Sequence, residues 1–358
     1  MVQILGQINL VPIFDKLLPR YLEKYASHIK WDVNYLPLPS FAIEKEPQGP
    51  NFYLSRKQMG AVDNAIFPNP FGDKLAIVLQ GPIVSEKSIT LRIIHHYLRR
   101  YPEVCIVVST WGNTPPPDLA PLTNLAENGK IKLILNPDPI QPGVFNINRQ
   151  IISSRNGLEF ALTDFEFSIK SRTDQVFVDP RFMNQLRILF DRYSEVGCKN
   201  SRIIVSSLNT FAFRLYGASD MFQFGKTKDL FEYWNQPLDA RNIDELTAIS
   251  PNLVAEAQKH VAEVYLNTNY FKLKEKTNPQ YNLEESLHFV ANYFVVADAQ
   301  SLGHLWLKNT NLVNRWSVSR FPSKFYELSH ADWVGLTSDL TEWQSYKEVL
   351  VSESFFRE

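Results

Sequence analysis

FEFSIKSRTDQVFVDP, residues 165 to 180, is the stretch whose reading decides the fold. Phe165, Phe167 and Ile169 alternate with Glu166, Ser168 and Lys170 at the two-residue period of a β-strand. The alternation predicts one buried apolar face, with Lys170, Arg172 and Asp174 sharing the other. In open α/β sheets ligands sit just beyond the carboxyl ends of the strands. If this strand is central, Ser171 to Gln175 lie at a ligand edge. The competing reading is an edge strand whose charges are simply solvated.

The chain before this stretch favours the central strand. LAIVLQGPIV, from Leu75, reads as a buried strand that breaks at Gly81 and Pro82. Ser85 is placed to cap a helix whose apolar face is Ile93, Ile94, Tyr97, Leu98 and Tyr101. A second strand over Val104 to Ser109 completes a βαβ unit, which implies parallel strands and a right-handed crossover. Lys130 to Asn136 reads as a third strand, and Asn146 to Leu162 as the helix that leads into residue 165. Arg202 to Leu208 is a further apolar strand. The segment RLYGASDMFQFG, Arg214 to Gly225, then enters a helix around Leu230 to Trp234.

Beyond that the pattern is helical. Ser250 and Pro251 are read as the start of a helix running through Tyr265. Asn282 and Glu285 form a capping box for a helix carrying Leu287, Val290, Ala291 and Phe294. Three regions follow: an amino-terminal helix and Pro-rich extension over 1–72, a core over 73–235, and a mainly helical region over 236–358. In the first, Leu10, Phe14, Leu17, Leu18, Tyr21 and Tyr25 recur at helical spacing, an apolar face that packs on the main domain or meets a membrane surface.

The balance of 37 basic against 38 acidic side chains in 358 residues leaves no field for binding bulk nucleic acid. Two cysteines, Cys105 and Cys198, exclude a cysteine zinc site and fit a reducing compartment. The sequence holds no apolar run near the ~18 residues that cross a bilayer, so the expected location is the cytoplasm.

Convergence at the carboxyl edge nominates the site. Gly81 lets backbone approach a ligand, Gln80 offers donors and acceptors to a base or ribose, and Trp111 offers a ring. Arg149, Lys170 and Arg172 are cations near one edge and suit a diphosphate; each also reads as an ordinary ion-pair partner. His330, beside Asp332, is a candidate metal ligand. Neither a Gly-x-x-x-x-Gly-Lys loop, a Gly-x-Gly-x-x-Gly fingerprint nor a Gly-x-Ser-x-Gly elbow is present, which argues against P-loop phosphotransferases, dinucleotide oxidoreductases and α/β-hydrolases.

The motifs AIVLQGPI, VVSTWGNT, NINRQIISSRNGL, IKSRTDQ and YGASDMFQFG, in this order over residues 74 to 235, resemble the WavE family of lipopolysaccharide-synthesis proteins. The resemblance implies a GT-A-like domain, a Rossmann-type, mostly parallel α/β sheet with a helical carboxyl-terminal region. It implies a glycosyltransferase that moves a sugar from a nucleotide sugar to a glycan or lipid-linked acceptor, with peripheral membrane contact where that acceptor lies. GT-A-like enzymes hold a divalent metal, Mg2+ or Mn2+, with an Asp-x-Asp element. Here the equivalent tripeptide is Arg172-Thr173-Asp174, so a guanidinium stands in place of one carboxylate and the metal is left open. The implied donor site is Gln80, Gly81, Trp111, Arg149, Lys170, Arg172, Asp174 and Gln175, with Asp174 and His330 toward the metal. An inverting transfer needs a base, for which Asp220 in its polar turn is the first candidate and Glu285 the second. Sugar-phosphate nucleotidyl transfer and a non-catalytic carbohydrate-binding subunit of the same fold are the alternatives.

Overall fold

A computed structural model describes residues 65–193, 201–241, 252–307 and 327–338. The amino-terminal helix and most of the Pro-rich extension lie outside the described residues, as do Cys198, Ser250 and Pro251.

The strands are β1 (Leu75–Gln80), β2 (Cys105–Trp111), β3 (Lys132–Asn136), β4 (Phe167–Arg172), β5 (Gln175–Phe177), β6 (Ile203–Ser206), β7 (Gln223–Lys226), β8 (Phe294–Ala297) and β9 (His304–Trp306). Seven of them form one sheet in the order β3-β2-β1-β4-β7-β6-β8. β1 pairs in parallel with β2 and β4, and β6 pairs in parallel with β8. β7 alone runs against its neighbours, antiparallel to β4 and β6. β5 and β9 form a small antiparallel ribbon.

β4 is the middle strand, as its reading required, and the apolar run of β1 is the reason it sits inside the sheet beside it: all six of its residues are buried, as a strand covered on both faces requires. β4 lies against it in register, Leu75 facing Phe167 and Gln80 facing Arg172. The expected division of β4 into a wet and a dry face does not hold. Ser168 and Lys170 are as buried as Phe167 and Ile169, because helices cover both sides of this sheet.

Helices α1 (Ile89–Arg100), α2 (Pro116–Glu127) and α3 (Ile147–Asp164) supply the crossovers among β1 to β4. α1 starts later than Ser85. Glu86–Ser88 forms a 3-10 turn, Ser88 takes a left-handed conformation, and no side chain caps the helix. Thr90 explains the delay: its hydroxyl accepts from the Val84 amide and donates to the Thr173 carbonyl, which ties this turn to the end of β4. α3 crosses the sheet at Gly157, where a Cβ would stand 2.5 Å from Val78 and 3.3 Å from Ser109.

After α4 (Phe182–Tyr193) and α5 (Thr227–Trp234), the region beyond residue 235 carries α6 (Leu253–Gln258), α7 (Ala262–Glu275), α8 (Leu283–Tyr293) and α9 (His330–Ser338). It also returns β8 to the main sheet. The single helix expected through Tyr265 is two helices. The chain breaks at His260, which has φ of 49°, and the Arg241 guanidinium donates to the carbonyls of Lys259 and His260 across that break. Hydrogen bonds from outside the helix thus take the place of the internal ladder. Of the capping box expected at the start of α8 one half forms: the Asn282 side chain accepts from the Glu285 amide at 2.8 Å, while the Glu285 carboxylate accepts from the Gln280 amide instead.

The Gly157 contact gives a direct test. Ala in place of Gly within a helix gains about 1 kcal/mol, but overpacking a filled core costs about 1–3 kcal/mol. Val78 is fully buried and has nowhere to go, so Gly157→Ala is expected to lower stability by about 1 kcal/mol or more in urea unfolding. A variant more stable than wild type would show that α3 does not press on β1 this closely.

Candidate active site

A cleft of about 650 Å3 opens at the carboxyl edge of the sheet. Arg172 comes from the end of β4, Asp220 and Met221 from the turn before β7, and Asn209, Phe211 and Arg214 from the chain after β6. Trp306 of β9 and Glu327 enclose it on one side, while Val261 to Glu263 enter from the head of α7 and Phe145 and Gln150 from the head of α3.

β4 sends its two cations in different directions. Lys170 is fully buried; its ammonium donates to the Asp220 backbone carbonyl and stands 4.2 Å from the Trp234 ring. Burial pushes its pKa down to about 7 and the Arg172 charge adds to that, against the pull of Asp220 and Asp174. Lys170 therefore does not face the cleft as a ligand for diphosphate. It pins the turn that carries Asp220.

Arg172 does line the cleft. Its Nε and Nη2 donate to the two carboxylate oxygens of Asp174 at 2.8 and 2.9 Å, and the group stands 5.4 Å from the Trp306 ring. Burial works against its charge, but the hydrogen bond and charge of Asp174, with the charge of Asp220, hold its pKa above the ordinary arginine value. The Asp174 side chain is only 3% exposed, and its Oδ2 also accepts from the Trp306 indole at 3.1 Å.

Asp220 faces the cleft, and among the described residues no hydrogen bond reaches its carboxylate. Glu263 lines the same cleft, paired with Arg214. Burial raises the Glu263 pKa and the nearby Asp220 charge adds to it, while Arg214 opposes. The Arg214 guanidinium stands 4.5 Å from the Phe211 ring, so it repeats the arrangement of Arg172: a guanidinium tied to a carboxylate and standing over an aromatic ring.

The remaining candidates lie outside the cleft lining. The Gln80 amide oxygen accepts from Ser153, and Gly81 at φ of 118° passes close to Thr173. Trp111 is buried, and so is Gln175, whose amide oxygen accepts from Ser171 at 3.5 Å. Arg149 forms a fork with Asp138 at 2.7 and 2.8 Å. Glu285 is structural here: it accepts from the Gln280 amide and the Tyr216 hydroxyl at the start of α8.

Asp174 and His330, the two residues expected toward a metal, are both held by other groups, with Nε2 the nitrogen that His330 keeps for a metal. Both oxygens of Asp174 are engaged, and His330 donates from Nδ1 to the Val296 carbonyl while its ring packs between Tyr193 and Trp333. Among the described residues no three His, Cys, Asp or Glu side chains cluster to hold a cation. Reading by residue type missed Arg214, Glu263 and Phe145. Arg214 lay inside a segment already singled out, whereas Glu263 was read as one residue of a continuous helix.

The sequence matches the WavE lipopolysaccharide synthesis family over residues 75–355. No curated protein matches it. Among solved structures it is similar to the mannosyltransferase PcManGT from Pyrobaculum calidifontis in complex with GDP-Man and Mn2+, at 11% identity and a TM-score of 0.35, over 81% of this chain and 88% of that one. It is also similar to TarS 1-349 of S. aureus, at 10% identity and a TM-score of 0.32, over 79% and 89% of the two chains. Mannose-1-phosphate geranyltransferase from Thermus thermophilus matches over 63% of this chain and 74% of that one, at 11% identity and a TM-score of 0.27. Likeness at these scores carries no argument about the reaction.

The buried ammonium makes stability depend on pH. Because the folded pKa of Lys170 is depressed, the unfolded chain binds more protons from about pH 7 up to the ordinary lysine value, and stability rises with pH across that window. Relative to Lys170→Met, wild type is expected to gain stability between pH 7 and 10 with a slope of at most about 1.4 kcal/mol per pH unit. Urea unfolding of both proteins at three pH values measures it. A pH-independent difference would mean that Lys170 titrates as it does in water.

Proposed function

The chain belongs to the WavE lipopolysaccharide synthesis family, and on that premise we propose that it is a glycosyltransferase, moving a sugar from a nucleotide sugar to a hydroxyl of a glycan or lipid-linked acceptor in surface-polysaccharide synthesis. The observation that carries this reading is the placement of Asp220. Asp220 lines the cleft within electrostatic reach of Arg172, at the carboxyl end of the central strands.

The diphosphate of the donor lies at the border of the cleft, where Arg172 ends β4. Arg172 retains donors beyond the two it gives Asp174, and its charge is secure at neutral pH. In the transfer the acceptor oxygen attacks the anomeric carbon, and the bond from that carbon to the diphosphate oxygen breaks with its electron pair. Arg172 stabilises the charge that develops on the leaving group. Asp220 takes the acceptor proton in an inverting transfer. Lys170 holds Asp220 in place through the backbone. Among the described residues no helix is long and apolar enough to cross a membrane.

Two variants separate these roles. Asp220→Asn is expected to lower turnover by roughly 10²–10⁴-fold while the donor Kd stays within about twofold, since only the transition state uses the base. Arg172→Ala is expected to weaken nucleoside-diphosphate binding by about ten- to a hundredfold. Calorimetry of UDP and GDP, with diphosphate release from a panel of nucleotide sugars, reads both. Lost donor binding in Asp220→Asn would remove it from the role of base. Unchanged affinity in Arg172→Ala, or no binding of either nucleotide by wild type, would overturn the donor assignment.

A further inference from the structure

We propose that the cleft is the acceptor-saccharide subsite and that the ring of Phe145 is the surface on which a neutral sugar ring stacks. This rests on the glycosyltransferase reading and narrows its substrate.

The described lining of the cleft is mixed in charge rather than basic. It carries Arg172 and Arg214 against Asp220, Glu263 and Glu327, and both guanidiniums are already tied to carboxylates. A neutral polyol meets what it needs, since Asp220 and Gln150 offer oxygens and an amide to hydroxyl groups around an aromatic surface.

Phe145 supplies that surface at a cost. A bulky residue with φ of 52° is a backbone outlier, and its ring is 60% exposed, so burial does not offset the strain. The conformation is imposed by its surroundings. Gly143, at φ of 71°, sits so close to Ile147 that a Cβ would stand 2.8 Å away. Asn148 donates to the carbonyls of Gln141 and Asp239 and accepts from the Asp239 amide, which clamps the turn to a second segment. Trp306 and Phe211 each face a guanidinium, whereas Phe145 has neither a ring nor a cation over it among the described residues. The electron-rich face of such a ring matches the electropositive C–H face of a pyranose.

The test uses Phe145→Gly, which removes the ring and suits a positive φ, and Phe145→Trp, which keeps a ring. The probes are methyl glycosides of glucose, galactose, mannose and N-acetylglucosamine, read by saturation-transfer NMR, with UDP and GDP read by calorimetry. Wild type and Phe145→Trp are expected to saturate the C–H protons of at least one glycoside. Phe145→Gly should weaken that binding by at least about tenfold. Its Tm should stay level or rise, and its nucleotide affinity should stay within about twofold of wild type. Undiminished saturation in Phe145→Gly would overturn the proposal, as would the absence of any glycoside signal with wild type. A fall in Tm with loss of nucleotide binding would show the ring to be structural and overturn it too. Failure of wild type to bind either nucleotide counts against the transfer reading instead, and the glycoside arm still decides the role of Phe145.

Discussion

An ammonium group buried in the middle of a sheet must find partners, and in this protein that requirement fixes the geometry of the site. Lys170 reaches the Asp220 carbonyl and the face of Trp234. Trp234 is itself oriented, its indole N–H donating to Gln223 at 2.6 Å. One buried charge therefore locks β4, the turn before β7 and helix α5 to one another. The position of the Asp220 carboxylate is a by-product of that lock. Leaving such a cation without its carbonyl would cost far more than an ordinary hydrogen bond, because the cation has already been taken out of water.

The same logic governs the other charges of the cleft. Arg172 and Arg214 are each held by a carboxylate and each stand over a ring, so neither has to be ordered when a substrate arrives. Preorganised charge of this kind acts on a developing transition state without reorganisation. It also means that simple counting of cations overstates the affinity of the site for anions. The cations are present, but most of their field is taken up by Asp174 and Glu263.

What could be read from the sequence follows from the physics of each segment. β1 is a continuous apolar run, and such runs form strands covered on both faces, so its place inside the sheet and the parallel pairing were legible. Asn282 was legible because a cap is a local device. The burial of Lys170 was not legible, since a lysine on an alternating strand reads as a wet face and only tertiary packing makes that face dry. Glu263 was hidden by periodicity: the helical pattern continues through His260, and the break there is bonded by Arg241, which the helical pattern does not include. Arg149 looked like a phosphate ligand because nothing near it in sequence announces the fork with Asp138. Phe145 left no signal, because a positive φ at a phenylalanine is imposed by a neighbouring glycine and a clamp rather than chosen by the residue.

The strand order has a consequence for how the protein comes into being. β1 to β4 lie within one continuous stretch of chain, but β6 borders β8, and roughly ninety residues separate them. A ribosome adds about 5–20 residues each second, so the outer edge of β6 waits on the order of ten seconds for its partner during synthesis. That edge reads Ile-Ile-Val-Ser and is buried throughout in the finished fold. While it waits it is an open apolar template of the kind that recruits other nascent chains. The late arrival of β8 leaves that edge open to such pairing until the last strand of the sheet is in place.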